Sequence, residues 1–315
     1  MSNATESSMV AQPVRNRRLR DRAKETVARG ITRMFLPQLA KKMEEEGTFH
    51  LFEGENAPVN LDDYFVVDDR GADLTIFAFA GMDVLFAGEP RFEFRKQLSS
   101  LNQPFNMVFV REMRRMLYHV SPYGKPDGLE FYTKHIEEIK NRIGASRNVA
   151  MGSSGGGSAA FFFGSLCGFD KIIAFSPAFP WGTWTSWPAQ SHCYFDLKKL
   201  VTAPGEYAES ALVAASGLMV EYQMYRDLGQ ERLWNVNEAY LNRSPRVPAT
   251  IIYGERCYPD KMQALKLKHE PGVKLIPVKT GRHNCPAALK AEGRLSQVLL
   301  DEIKPLLDPE PVSSS

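Results

Sequence analysis

The sequence predicts an α/β fold in which eight strands form a mostly parallel sheet, with helices on both faces and a helical lid insertion over one edge. Three observations lead there. Short β-rich runs recur from Thr48 onward, the later ones are separated by segments of helical periodicity, and one long gap interrupts the series. A chain that alternates strand and helix builds a parallel sheet, because each crossover lays a helix over one face.

The strand runs are Phe49–Phe52, Tyr64–Val67, Leu74–Ala80, Met107–Val110, Asn148–Met151, Lys171–Phe175, Thr250–Tyr253 and Val273–Val278. The third run (LTIFAFA) and the fifth to seventh are apolar with little alternation, as suits strands buried on both faces. Only turns fit between the first three, including Asp68-Asp69-Arg70-Gly71, so the sheet is expected to open with antiparallel hairpins. Helices are expected over Phe92–Leu101, Glu130–Ile143, Ser158–Leu166, Lys261–Lys268 and Ala287–Leu307. The gap from Pro177 to Pro248 is too long for a simple crossover and holds Trp181, Trp184, Trp187 and Trp234 with helical runs such as Glu206–Leu228. It reads as the lid, residues 178–248 of a single domain spanning 48–307, since no internal repeat or long linker is visible.

The ends differ from the body. Residues 308–315 read as a disordered tail. Residues 1–47 read as a polar tail followed by a basic helical arm: Arg15, Arg17, Arg18, Arg20, Arg22 and Lys24 precede Val27, Ile31 and Phe35, whose four-residue spacing makes one apolar stripe. Such an arm either packs along the domain edge or touches acidic lipid, nucleic acid or an acidic partner. For the body, 39 basic against 37 acidic residues leave a net charge of +2, so no nucleic acid is expected. Cys167, Cys193, Cys257 and Cys285 show neither CxxC nor Cys/His metal spacing, so neither a metal nor a disulfide scaffold is expected, and thiols in a reducing compartment are the default. No apolar signal core opens the chain and no run of ~18 apolar residues crosses a membrane, which makes cytoplasmic the expected location.

The most informative stretch is Asn148–Phe163, NVAMGSSGGGSAAFFF, containing Gly152-Ser153-Ser154-Gly155-Gly156, a match to G-x-S-x-G. An apolar strand precedes it and a small-residue helix follows, so the serine sits on a tight turn at the sheet's C-terminal edge. Its neighbours must be small because helix and strand approach closely there. The adjacent helix N-terminus offers N–H groups to a developing oxyanion. Ser154 occupies the nucleophile position, with Ser153 a weaker candidate. A phosphate loop would need Gly-Lys-Ser/Thr, which is absent, and G-x-G-x-x-G does not follow the first strand.

A serine nucleophile needs a base. His283 follows the last strand in Lys279-Thr280-Gly281-Arg282-His283-Asn284, at the edge where loops converge on one crevice. His50, His119, His135, His192 and His269 fall in a strand, in loops or on polar helix surfaces. An orienting acid should follow Thr250–Tyr253; Asp260 and Glu255 are both available, and Asp260 could instead cap the helix from Lys261. The oxyanion donors are expected from the backbone of Gly155 and of Met82 or Asp83, after the third strand. Trp181, Trp184 and Trp187 with Phe179 could line an acyl pocket or pack the lid, and Arg111, Arg114 and Arg115 after the fourth strand suit a surface role better than an anion site.

From Thr48 to Leu307 the chain resembles the α/β-hydrolase superfamily: the strand series, Gly152–Gly156 after the fifth strand and His283 after the eighth all match, and Asp170–Pro177 and Phe92–Phe94 are similar to poorly characterised bacterial members. The resemblance implies a serine hydrolase that cleaves a small-molecule ester or thioester through an acyl-serine, without a cofactor. It leaves open an acyltransferase or thioesterase acting on a carrier-bound intermediate, and a noncatalytic binding protein. The departure is Cys257, which stands where the family commonly has its aspartate, three residues after the glycine ending the seventh strand.

Overall fold

In a computed structural model of the chain, the described residues are 59–82, 91–178, 201–207 and 240–307, with Thr26, Gly30, Arg33, Met34, Lys41, Arg226 and Leu228 as isolated positions. The chain divides into two compact units, Met1–Leu51 with Phe86–Glu89 and Phe52–Leu85 with Pro90–Ser315. The first unit is described only at Thr26, Gly30, Arg33, Met34 and Lys41, all helical. The basic run from Arg15 to Lys24, the strand expected at 49–52 and the tail from 308 lie outside the described residues.

Among its described residues the second unit carries a seven-stranded mixed sheet. Its strands are β1 (Phe65–Asp68), β2 (Leu74–Phe79), β3 (Asn106–Val110), β4 (Arg147–Ser153), β5 (Lys171–Phe175), β6 (Ala249–Gly254) and β7 (Val273–Val278). Their spatial order is β1-β3-β2-β4-β5-β6-β7. Between them run α1 (Arg95–Ser100), α2 (Gly128–Ile143), α3 (Gly155–Leu166), α4 (Tyr258–Lys266), α5 (Cys285–Ala291) and α6 (Leu295–Leu307).

The expected hairpin between β1 and β2 does not form. β1 does run antiparallel, but to β3, pairing Phe65 with Val110 and Asp68 with Met107; β2 lies between β3 and β4, parallel to both. Burial explains the choice. All six residues of β2 are buried, so it needs a neighbour on each side, whereas β1 buries only Phe65 and suits the edge. The turn leaving β1 folds against β3 instead: Asn106 Oδ1 accepts the N–H groups of Arg70 (2.8 Å) and Ala72 (3.0 Å).

The two faces of the sheet are separate apolar layers. Phe77 and Phe79 of β2 point to the side of α2, α3 and α4, while Leu74, Ile76 and Ala78 point to the side of α1, α5 and α6. α2 buries Leu129, Tyr132, Ile136 and Ile139, ends in Lys140 and Arg142, where cations suit the helix dipole, and stops at Gly144 with φ 70°. α3 is buried from Gly155 to Ser165, so its Phe161-Phe162-Phe163 run packs on several sides. The single helix expected over Ala287–Leu307 is two, because Gly293 takes φ 70° between α5 and α6.

One buried carboxylate ties three strands together from α6. Glu302 accepts from Lys171 of β5 (2.7 Å), Thr250 of β6 (2.6 Å) and Lys274 of β7 (2.6 Å). Burial alone would push its carboxyl up, but these three donors outweigh it and hold it below the usual carboxylate range. Of the expected lid, 201–207, Arg226, Leu228 and 240–248 are described; Tyr240 is fully buried with its ring edge on Phe161.

Candidate active site

β4 ends at Ser153 and α3 begins at Gly155, so Ser154 is the one residue between them, with φ 54° and ψ −122°. A side chain with a Cβ resists that conformation and needs its surroundings to impose it. Here Ser154 N–H donates to Phe175 O of β5 at 2.8 Å, and Ser154 O accepts from Ser158 N–H (3.1 Å) and Ala178 N–H (3.2 Å). The small neighbours are sterically required: a Cβ on Gly156 would stand 2.1 Å from Phe79 O, and one on Gly152 would stand 2.2 Å from Gly156 O.

His283 lies in the turn between β7 and α5. Its Nε2 is 2.8 Å from Ser154 Oγ, and its Nδ1 is 2.7 Å from Asp260 Oδ1. An ionised carboxylate only accepts, so Nδ1 carries the hydrogen and donates to Asp260. Nε2 is then an acceptor, and Ser154 Oγ donates to it. The turn is held by Gly281 N–H on Glu206 Oε1 (3.2 Å) and by Asn284, whose side chain caps α5 at Ala287 N–H (3.1 Å).

Asp260 reaches His283 from the first turn of α4 and is 2% exposed. It does not cap that helix: Cys257 is the N-cap residue. Glu255, the other acid weighed from the sequence, is exposed just past β6, with its N–H on Val278 O. Ser153 closes β4 and is not the serine on His283.

Met82 N lies close to the start of α3: a Cβ on Gly155 would stand 3.8 Å from it. Asp83 and Trp181, Trp184 and Trp187 with Phe179 lie outside the described residues. Arg111 donates Nε–H to Asp63 O with its guanidinium 4.5 Å from the Phe92 ring, and Arg114 donates to Pro122 O at 2.8 Å; both are tied to neighbouring loops.

Sequence reasoning missed the clamp on the Gly81–Met82 turn. Glu93 Oε1 accepts Gly81 N–H at 3.1 Å, and Tyr118 Oη donates at 2.8 Å to the carbonyl of the preceding Ala80. The loop bearing Tyr118 is strained, with Arg115, Leu117 and Tyr118 all at positive φ, and Leu117 closes on Gly155. Glu112 and His119 shape it from inside. Buried Glu112 accepts the N–H groups of Arg114 and Met116 (2.6 Å), and burial raises its carboxyl to about 7. His119 Nδ1 donates to Leu117 O at 2.8 Å, and burial lowers its ring to about 4. No motif marks Glu112, Tyr118 or His119, and nothing in the expected helix over Phe92–Leu101, or in the likeness at Phe92–Phe94, assigns Glu93 this contact. His135, read as a polar-surface residue, is instead half-buried and stacks on Phe65 at 5.7 Å.

Cys257 Sγ, an Asp260 carboxylate oxygen and a His283 ring nitrogen lie within 4.8 Å of one another, the one such grouping of metal-ligating atoms among the described residues.

An antiparallel edge strand, parallel strands in the order β3-β2-β4-β5-β6-β7, and a serine at positive φ between the middle strand β4 and its helix decide the architecture. This is an α/β-hydrolase fold. No family model matches the sequence, and no curated protein matches it. Among solved structures, the chain is similar to a protein of unknown function from Staphylococcus aureus at 12% identity, covering 78% of this chain and 94% of that one, with a TM-score of 0.52. A thermophilic esterase from Thermogutta terrifontis matches at 12% identity over 78% and 94%, TM-score 0.49. The capsule O-acetyltransferase of Neisseria meningitidis serogroup A matches at 14% over 75% and 90%, TM-score 0.49. At such identities the likeness is one of fold. Many chemistries use the α/β-hydrolase fold, so function must be argued from the site.

Proposed function

We propose that the protein is a serine hydrolase that cleaves a small-molecule ester or thioester through an acyl-serine. The observation that carries this is the hydrogen-bonded line from Asp260 through His283 to Ser154, with Ser154 on a strained turn beside a helix N-terminus. His283 Nε2 takes the Ser154 proton as Oγ attacks the carbonyl carbon, and Asp260 stabilises the imidazolium that forms. The N–H groups of Gly155 and Met82 receive the developing oxyanion. His283 then protonates the leaving alcohol or thiol, and in the second half activates the water that releases the acid.

The geometry also bears on the noncatalytic reading, whose motive was Cys257 at the position where the acid was sought. A buried carboxylate already seated on His283 supplies that acid from one helical turn further on, which favours the enzyme. The test is covalent labelling with a fluorophosphonate, followed by turnover on a panel of p-nitrophenyl esters and acyl thioesters. Labelling of the intact chain that disappears in Ser154→Ala is the expected result. An intact chain that takes no label sinks the proposal.

A further inference from the structure

We propose that Cys257, Asp260 and His283 form an inhibitory site for a soft divalent cation of the zinc class, which switches the serine off by taking the ring nitrogen that faces Asp260. The proposal rests on the reading of Ser154 as nucleophile and His283 as its base.

The three ligand atoms lie within 4.8 Å of one another. Zinc bonds sulfur at about 2.3 Å and nitrogen or oxygen at about 2.1 Å, so tetrahedral ligands stand roughly 3.4–3.6 Å apart. Ligand atoms standing as much as 4.8 Å apart must draw in by roughly 1 Å to reach that spacing. One thiolate, one imidazole and one carboxylate make a set soft enough to prefer zinc to magnesium or calcium, and a water completes the tetrahedron. The nitrogen on the Asp260 side is Nδ1.

A second observation points to the same place. Asp260 is 2% exposed, and while its Oδ1 takes the His283 hydrogen bond, its Oδ2 has no hydrogen-bond partner among the described residues. A buried carboxylate oxygen left without a donor is unfavourable, and a cation satisfies it. Of the three side chains, His283 is the most exposed, at 14%, against 2% for Asp260 and 0% for Cys257.

The proton count accounts for the inhibition. On binding, the thiol releases its proton to water, and the hydrogen on Nδ1 moves to Nε2, so the ring stays neutral. Nothing is oxidised or reduced. Nε2 then donates, and Ser154 Oγ, 2.8 Å away, has lost the acceptor that would take its proton. Removing the cation restores the original tautomer.

The test uses the full chain and two metals. Co²⁺ added to the unaltered chain and to Ser154→Ala should give a thiolate-to-cobalt absorption band in the near ultraviolet, lost in Cys257→Ala. This readout does not depend on catalysis. Micromolar Zn²⁺ should slow fluorophosphonate labelling of the unaltered chain by about tenfold or more, with recovery on chelation. Cys257→Ala should label normally without zinc and need about tenfold more zinc for half-inhibition, having lost one of three ligands. Cys257→Ser serves the same purpose should the alanine variant not fold. Absence of the cobalt band, or equal zinc sensitivity in the Cys257 variants, overturns the site. A cobalt band on a chain that never labels overturns the acyl-serine reading and the switch with it.

Discussion

Asp260 meets Nδ1 of His283 at 2.7 Å from inside the first turn of α4, one helical turn beyond Cys257. The pair sets which ring nitrogen carries the hydrogen and therefore which one faces Ser154. Asp260→Asn places an amide where the carboxylate was; the amide N–H group can donate to Nδ1 and favour the wrong tautomer. The expected loss in kcat is about 10⁴-fold on an activated ester, whereas exposed Glu255→Gln stays within about twofold. Comparing the two variants on p-nitrophenyl acetate checks the assignment; equal losses would be incompatible with it.

The turn that presents Ser154 tolerates no side chain at Gly156, where a Cβ would meet Phe79 O at 2.1 Å. Gly156→Ala should cost about 3 kcal/mol or more, because neither the β2 backbone nor the helix can move away. Gly168→Ala is the control: φ is +59° but no atom lies within 4 Å of the new Cβ, so the loss should be about 1 kcal/mol. Urea unfolding of both variants reads the difference. A Gly156→Ala chain as stable as Gly168→Ala would contradict the packing.

Glu302→Ala should destabilise by about 3 kcal/mol, since it leaves Lys171, whose side chain is 18% exposed, facing the interior with no counter-charge. The sign with pH follows from the depressed carboxyl. Its stabilisation is complete above the ordinary value of 4.5 and is lost as pH falls through the lower folded value. Urea midpoints measured below pH 4.5 should therefore fall more steeply for the unaltered chain than for Glu302→Gln.

Glu112 and His119 pull stability in opposite directions over the same pH range. Glu112 rises from 4.5 to about 7, so its contribution is complete below pH 4.5 and declines as pH climbs through 7. His119 falls from 6.5 to about 4, so its contribution is complete above pH 6.5 and is lost as pH drops through 4. Between pH 4.5 and 6.5 the two slopes, each at most about 1.4 kcal/mol per pH unit, largely cancel. Glu112→Gln should reveal a stability that increases with pH there, and His119→Gln one that decreases. Midpoints at pH 4.5, 5.5 and 6.5 that run parallel in all three chains would refute the opposition.

Much of the fold is legible in short-range pattern. Lys171–Phe175 and Val273–Val278 appear with the bounds read from their β-rich runs, and the Gly152–Gly156 turn announces itself because glycine is the residue that lets a helix start this close to a strand. The errors occur where partners are distant. β1 and β2 are separated by a turn that would suit a hairpin, yet β1 pairs with β3, because burial on both faces draws β2 to the middle of the sheet. The break between α5 and α6 was missed because a single glycine is tolerated in a helical pattern and marks an end only when it takes positive φ, as Gly293 does.

The sequence by itself determined that a serine would stand on a strained turn between a buried strand and a small-residue helix, because glycine spacing and apolar runs act through neighbours a few positions away. Whether Asp260 or Glu255 faces His283 was decided only by the tertiary structure. Both acids lie within a few residues of β6, and what separates them is the direction in which α4 leaves the sheet, burying Asp260 and leaving Glu255 in solvent. The clamp of Glu93 and Tyr118 on the Gly81–Met82 turn is likewise a long-range result. Tyr118 and Ala80 are 38 positions apart, and their contact exists only once β2, β3 and the loop beyond have packed.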